Sequence, residues 1–300
     1  MSDRDRGLAW EARWARPTAI ASFVAVALLV ASFVILASLG GGGEAEGLRE
    51  IHGHGGTLVL GTALQVFGFA LLVVPLVYLF QAALRRSDRM RSQFRALIVV
   101  APLALAIAPV LKGVAADEAA SNFVAGKAHA GLSVKTATKE CTSERRDDAA
   151  GFKEDFGGGR LAVGDCAAEK IEDDAASNAI EDASLFGPAQ FLQLAGALGL
   201  AFAFVYCSLN ALRAGLLSKF WGSLGIALGV ALVIGLFQIA LLWFLYLGLL
   251  VAGWVPGGRP PAWAAGEAIP WPSPGKKAAA ELDNGRDGEN GADDGDDRDS

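Results

Sequence analysis

Four stretches without a charged side chain set the terms for this fold. They lie between Arg16 and Glu44, between His54 and Arg85, between Asp182 and Arg213, and between Lys219 and Arg259. A soluble helix of that length needs a polar face toward water, and these segments are apolar all round. About 20 such residues, at about 1.5 Å of rise each, cross the roughly 30 Å of a bilayer's hydrocarbon. With 300 residues the chain could form two soluble domains or one helical membrane bundle. Apolar residues at 53% against 19% charged decide for the bundle.

Five long apolar stretches result, best read as six spans of an all-α polytopic transmembrane bundle. The first is expected over residues 18–39 and reads as an uncleaved signal anchor. Its apolar core exceeds the ~7–15 residues of a signal peptide, and no small-residue cleavage site follows. The second covers 58–81. The third has a core over 96–111, completed if Lys112 snorkels to the headgroups, and Pro102 and Pro109 should kink it. The fourth covers 189–212. The stretch 220–254 is long for one upright helix and short for two; a hairpin turning near Gly235–Phe237 makes six spans, and one tilted helix makes five.

Charge orients the bundle. Arg4, Arg6, Arg13 and Arg16 precede the first span, and Arg85, Arg86, Arg89, Arg91 and Arg95 follow the second, whereas the first connection holds only Arg49. Cytoplasmic loops are rich in Lys and Arg, which places the N-terminus inside. Arg213 and Lys219 before the last stretch, and Arg259, Lys276 and Lys277 after it, favour the hairpin and an internal C-terminal side. The expected organisation is therefore a cytoplasmic segment 1–17, spans one to three within 18–112, an extracytoplasmic loop 113–188, spans four to six within 189–254, and a tail 255–300. Much of the net charge of −6 sits in that tail, where nine Asp and Glu from Glu281 to Asp299 alternate with Gly and Asn, a composition expected to be disordered. No nucleic-acid partner is indicated, since the basic residues flank spans.

The loop holds Cys141 and Cys166, with Cys207 alone in span four. Two cysteines in an oxidising compartment, bracketing Gly157, Gly158 and Gly159, predict a disulfide, against an alternative of two free thiols. The loop also repeats itself: DEAASNFV at 117–124 is echoed by DDAASNAI at 173–180. Acids followed by small and then apolar residues suggest two helix starts, a pair of posts beside the cysteines, unless Ala- and Asp-rich composition alone produced the echo.

Candidate chemistry is thin. His52 and His54, near Glu44, Glu46 and Glu50, offer donors for Zn²⁺ or Cu²⁺, but Gly53, Gly55 and Gly56 loosen the loop and no third His follows; an interfacial turn is the better reading. No metal or other cofactor, and no catalytic residue, is assigned. The polar residues of the spans are Gln65, Tyr78, Gln193, Tyr206, Asn210, Gln238 and Tyr246, which suit hydrogen bonds between helices or a lining for a neutral solute. Gly222, Gly225 and Gly229, with Gly196 and Gly199, present small faces for close packing within the chain or for a homo-oligomer. Trp221, Trp254, Trp263 and Trp271 are expected as membrane-interface anchors; the Pro/Trp strip carrying the last three could alternatively dock a cytosolic protein.

The runs 209–225 (LNALRAGLLSKFWGSLG) and 254–272 (WVPGGRPPAWAAGEAIPWP) resemble segments of an actinobacterial-type multi-pass membrane protein family, a domain of unknown function. The resemblance extends over spans one to four, including the Arg-rich segment 84–95, and is weaker in the long loop. It implies a bacterial cytoplasmic membrane and a helical pair for the last stretch, and it implies no activity. The function expected is a non-enzymatic scaffold, sensor or partner subunit, with the lipid bilayer and a membrane or cytosolic protein as partners. The alternative is a transporter or channel for a small neutral or hydrophobic solute.

Overall fold

The computed structural model describes residues 2–39, 43–87, 90–156 and 161–271. The acidic run 281–299, Lys276 and Lys277, Arg89 and the glycines 157–159 lie outside them. All regular structure among the described residues is helical: α1 (Asp3–Ala37), α2 (Glu44–Gly53), α3 (Gly55–Leu84), α4 (Phe94–Val124), α5 (Val134–Asp147), α6 (Ala149–Phe156), α7 (Ala162–Glu181), α8 (Phe186–Arg213), α9 (Lys219–Val233), α10 (Phe237–Ala252) and α11 (Pro261–Ala265).

α1, α3, α4 and α8 are long and apolar enough to cross a membrane. Their outward faces carry Val59, Phe67, Val100, Ile107, Phe191, Leu198 and other large apolar side chains in the open, a surface suited to lipid and not to water. Among the described residues, these four helices have the length and the apolar surface that crossing a membrane requires.

Two helices outrun the apolar stretches that announced them. α1 begins at Asp3, so the arginines expected in a separate lead-in stand on the same helix as the span. Ser2 starts it with a capping box: its Oγ accepts from the Asp5 N–H at 3.1 Å and the Asp5 carboxylate accepts from the Ser2 N–H at 2.9 Å. The bond from the Ser2 backbone, then that with its hydroxyl, holds the Asp5 carboxyl below its usual range. α4 continues twelve residues past Lys112, because the Ala-rich run after Gly113 contains no proline to stop it. The repeat 117–124 is therefore the end of a long helix, and its echo 173–180 forms the last two turns of α7, which stops at Glu181; neither is a helix start.

The six apolar helices form a circuit in which α1 packs on α3, α3 on α4, α4 on α8, α8 on α9, α9 on α10, and α10 back on α1. Leu72, Leu76, Leu79, Phe80, Phe204, Trp243, Phe244 and Leu247 are fully buried in the middle. The last stretch is broken at residues 234–236, where Gly235 takes φ +83°, a left-handed conformation that only glycine adopts freely. Gly225 and Gly229 let α9 close on α8: a Cβ at these positions would sit 2.3 Å from Ser208 Oγ and 2.5 Å from Val205 Cγ2. Gly196 and Gly199 meet Leu105 and Ala101 of α4 in the same manner, so all these small faces are occupied within the chain.

Beyond one end of the bundle, α2, the end of α4, and α5 to α7 form a helical insertion. Its first core is almost all alanine, with Ala45, Ala115, Ala119, Ala120, Ala176, Ala179 and Ala183 around Leu48. The two repeat copies face each other here and run antiparallel. Glu118 of the first accepts from Ser184 N (3.1 Å), just past the second, and Asp174 of the second accepts from Leu132 N (2.8 Å), just past the first. Asp173 accepts from Ala45 N at the start of α2 (3.0 Å), and Arg49 pairs with Glu172. The second core surrounds the Cys141–Cys166 disulfide, which ties α5 to α7 with Phe152 and Ala162 beside it. Alanines bury little area each, so a small core of this kind gains much from a covalent link.

Candidate functional site: a notch above a short hairpin

α9 and α10 have 15 and 16 residues and rise about 22 and 24 Å, whereas the hydrocarbon is roughly 30 Å thick. Their partners have 28 to 35 residues. The hairpin starts level with the arginine-rich end of α8 and turns before the insertion is reached. In the half of the bundle near the insertion, one corner of the circuit is therefore missing.

The gap is a cavity of about 410 Å³, within the usual range for small-molecule sites. Its walls are Phe33 and Leu36 of α1, Leu58, Thr62 and Gln65 of α3, Ala108, Pro109 and Lys112 of α4, and Gln193 and Ala197 of α8. Its floor is the hairpin tip, with Leu232, Gly235, Phe237 and Gln238, where the Phe237 ring lies 5.1 Å from that of Phe69. The break at 234–236 lines this cavity, and irregular backbone within a helical membrane bundle is tolerated where it borders a cavity. Leu36 and Leu58 also line the groove between the bundle and α2, which puts the insertion directly above the notch.

The polar set anticipated in the spans divides into two groups. Gln65, Gln193 and Gln238 converge on the notch with Thr62 and Lys112. Tyr78, Tyr206, Asn210 and Tyr246 serve packing toward the other end. Tyr78 Oη donates to the Glu11 carbonyl (3.1 Å), Tyr206 Oη accepts from Arg91 N (3.1 Å), Asn210 donates to the Tyr206 carbonyl (2.8 Å), and Tyr246 stacks on Trp221 at 3.7 Å.

The arginine-rich end holds what the sequence did not announce. Glu11 and Arg86, side chains 7% and 1% exposed, form a two-pronged ion pair with Nη2 to Oε2 at 2.9 Å. Arg86 also donates to the carbonyls of Ala82 (2.8 Å) and Ala262 (3.1 Å). Trp10, Tyr78 and Trp263 stack in a column, with centroids 5.5 and 5.9 Å apart. In the sequence Arg86 counts only as an orientation signal, and a partner 75 residues away leaves no periodic trace.

The expected interface tryptophans also separate. Trp254 is exposed and stacks over Phe23 at 6.1 Å. Trp221 is partly buried, and its carbonyl accepts from Trp243 Nε1 (3.1 Å). Trp263 does not face a membrane interface: it is buried and donates to the Leu216 carbonyl at 2.9 Å, because the Pro/Trp strip folds back onto its own bundle. Trp271 donates to the Leu217 carbonyl (2.8 Å), and Ile269 N to the Ala214 carbonyl (3.2 Å). The docked strip leaves no room at Gly215, where φ is +75° and a Cβ would lie 2.0 Å from the Ile269 carbonyl oxygen.

Cys141, Cys166 and Glu144 form the one cluster of metal-type donors among the described residues, but both sulfurs are spent in the disulfide. His52 and His54 sit exposed at the end of α2, while Glu44 is engaged by Ser177 of α7, which scatters the donor set near the HGH unit. Comparison with protein-family models, with curated proteins and with solved structures finds no match. The reading of the notch accordingly rests on its own residues.

Proposed function

We propose that this protein is a non-enzymatic binding protein of the sensor or partner-subunit class, in which the notch takes up a small amphipathic molecule and the insertion above it presents the result to other proteins. The observation that carries this reading is that the notch is blind. Below Phe69, Leu105, Leu200 and Leu232 come Leu72, Leu76, Phe204 and Trp243, all fully buried, and then the Glu11–Arg86 end. A conduit needs a second mouth. The lining holds an ammonium, a hydroxyl and three carboxamides but no carboxylate, imidazole or thiol, a set better suited to binding than to acid–base work.

The proposal includes a bacterial cytoplasmic membrane, full crossings by α1, α3, α4 and α8, with α9 and α10 as a short hairpin that enters and leaves on the cytoplasmic side in place of the expected fifth and sixth spans, and the N-terminus inside. Reporter fusions after Glu50 and Ala150 should then be extracytoplasmic, and those after Met90, Leu217 and Gly275 cytoplasmic. Ala150 and Gly275 on one face would overturn the topology. A homo-oligomer built on the Gly225/Gly229 face would have to displace α8, so partners are expected elsewhere.

Transport of a small neutral solute is the second reading, favoured by Pro102 and Pro109 in the wall helix α4, since prolines interrupt the helix ladder and permit bending. Flux into proteoliposomes separates the two. The binding reading expects leakage equal to that of empty liposomes; flux above that level, abolished by Gln193→Leu, would replace it with transport. Asn210 is 4% exposed in the packed half and should have no part in either.

A further inference from the structure

We infer that the notch binds an acyl-chain amphiphile with an anionic head, the head at Lys112 and the chain lying toward the hairpin tip; this rests on the binding reading above. Lys112 is the one charged side chain in the lining. It has no hydrogen bond or ion pair among the described residues, although it is half-buried beside apolar wall residues such as Pro109. An ammonium drawn partly out of water without a counter-charge is unfavourable, and an anionic group placed against it relieves that cost. Thr62 lines the same cavity and lies against the adjacent residue Gly113, where a Cβ would be 3.2 Å from its Oγ1. A carboxylate or phosphate held by the ammonium can accept from this hydroxyl as well.

The remainder of the notch suits the chain attached to such a head. From Lys112 to Leu105 the α4 wall runs seven residues, about 10 Å. Phe69, Leu105, Leu200, Leu232 and Phe237 make its deep end apolar. The amides of Gln65, Gln193 and Gln238 have no protein partner among the described residues and offer donors and acceptors to an ester, amide or hydroxyl between head and chain. A neutral solute would use the amides and leave the lysine unanswered. The same anionic amphiphile could be a bilayer lipid entering between α1 and α8 or a free fatty acid.

The test uses the full chain in nanodiscs of neutral phosphatidylcholine, with a dodecanoate carrying a mid-chain diazirine and, in parallel, its methyl ester. After irradiation, labelled peptides are mapped by mass spectrometry. The acid should label the segments around Leu105–Pro109 and Leu232–Gln238. Lys112→Gln should lower that labelling by about tenfold, the scale of a lost charge-assisted hydrogen bond, and leave the ester's labelling unchanged. Lys112→Arg, which keeps the charge, should hold the acid's labelling within about twofold. Ala197→Phe, which fills the notch, should remove labelling by both probes. Competition by unlabelled phosphatidylglycerol but not dodecanoate identifies a lipid as the source, and the reverse identifies a free acid. If acid and ester label alike, insensitive to Lys112→Gln but lost in Ala197→Phe, the anionic head is wrong and the binding reading survives. Labelling spread over Val59, Phe67 and Val100 and untouched by Ala197→Phe overturns both.

Discussion

The guanidinium of Arg86 has four acceptor atoms around it, whereas the ammonium of Lys112, in the other half of the same bundle, has none among the described residues. Both are cations half-way or more into protein, and their surroundings differ completely. At the arginine-rich end the charged groups and the aromatic donors are answered within the chain, Glu11 by Arg86, Tyr78 by Glu11, Trp263 by Leu216 and Arg259 by Leu250, while two small buried hydroxyls of the packed helices, Thr18 and Ser208, have no partner among the described residues. In the notch Gln65, Gln193 and Gln238 have no such answer among the described residues. The two sets differ in exposure too: Glu11, Arg86 and Trp263 are buried, whereas Gln65 is half-buried and Gln193 and Gln238 are exposed. The first set holds the fold together, and the second is open to a molecule entering the cavity.

Five substitutions would break or sharpen this contrast. Glu11→Ala leaves Arg86 buried and unpaired and should cost about 4 kcal/mol, read as a large drop in unfolding free energy in detergent; a change near zero would mean that the pair is hydrated and the end is not closed. Cys141→Ser should cost the insertion about 3 kcal/mol, visible as faster hydrogen exchange in α5 to α7 with protection in α1 and α3 unchanged. Gly215→Ala drives a methyl into the Ile269 carbonyl and should weaken docking of the Pro/Trp strip by about 2 kcal/mol; chymotryptic cleavage after Trp263, buried while the strip is docked, should accelerate accordingly. The smallest effect is the most informative. Gln65→Leu and Gln193→Leu should shift stability by less than about 0.5 kcal/mol, since no partner is lost. A loss on the scale of Glu11→Ala would place the amides among the structural groups.

Those contrasts also mark what could be read from residues alone. The membrane helices were legible because an absence of charge over ~20 residues has few explanations. The break in the last stretch was legible through Gly235, expected near 235–237 and found at 234–236. The length of α4 was not, because the apolar stretch ends at Lys112 but the helix does not, and hydropathy reports only the former. The division of seven polar residues into a notch group and a packing group was also hidden. Side-chain direction in an all-apolar helix has no amphipathic signal to fix it, and the notch exists only because two helices 15 and 16 residues long stand among longer ones. Trp263 misled for a related reason. An indole suits an interface and a core equally, and what buries it is a fold-back of the chain onto Leu216.

Closure of the helix circuit has a consequence for how the protein is made. Ser22 of α1 donates to the carbonyl of Phe244 in α10, 222 positions along the chain, at 2.6 Å, and Gly248 lies against Phe23. A translating ribosome delivers α1 to the bilayer long before α10 exists. During that interval the hydroxyl of Ser22 and the small face at Ala15, Ala19 and Ala25 must be tolerated by lipid or shielded by the insertion machinery. Biogenesis therefore ends with a long-range clasp between early and late helices, and a nascent chain stalled before Phe237 would carry an open seam that membrane proteases can recognise.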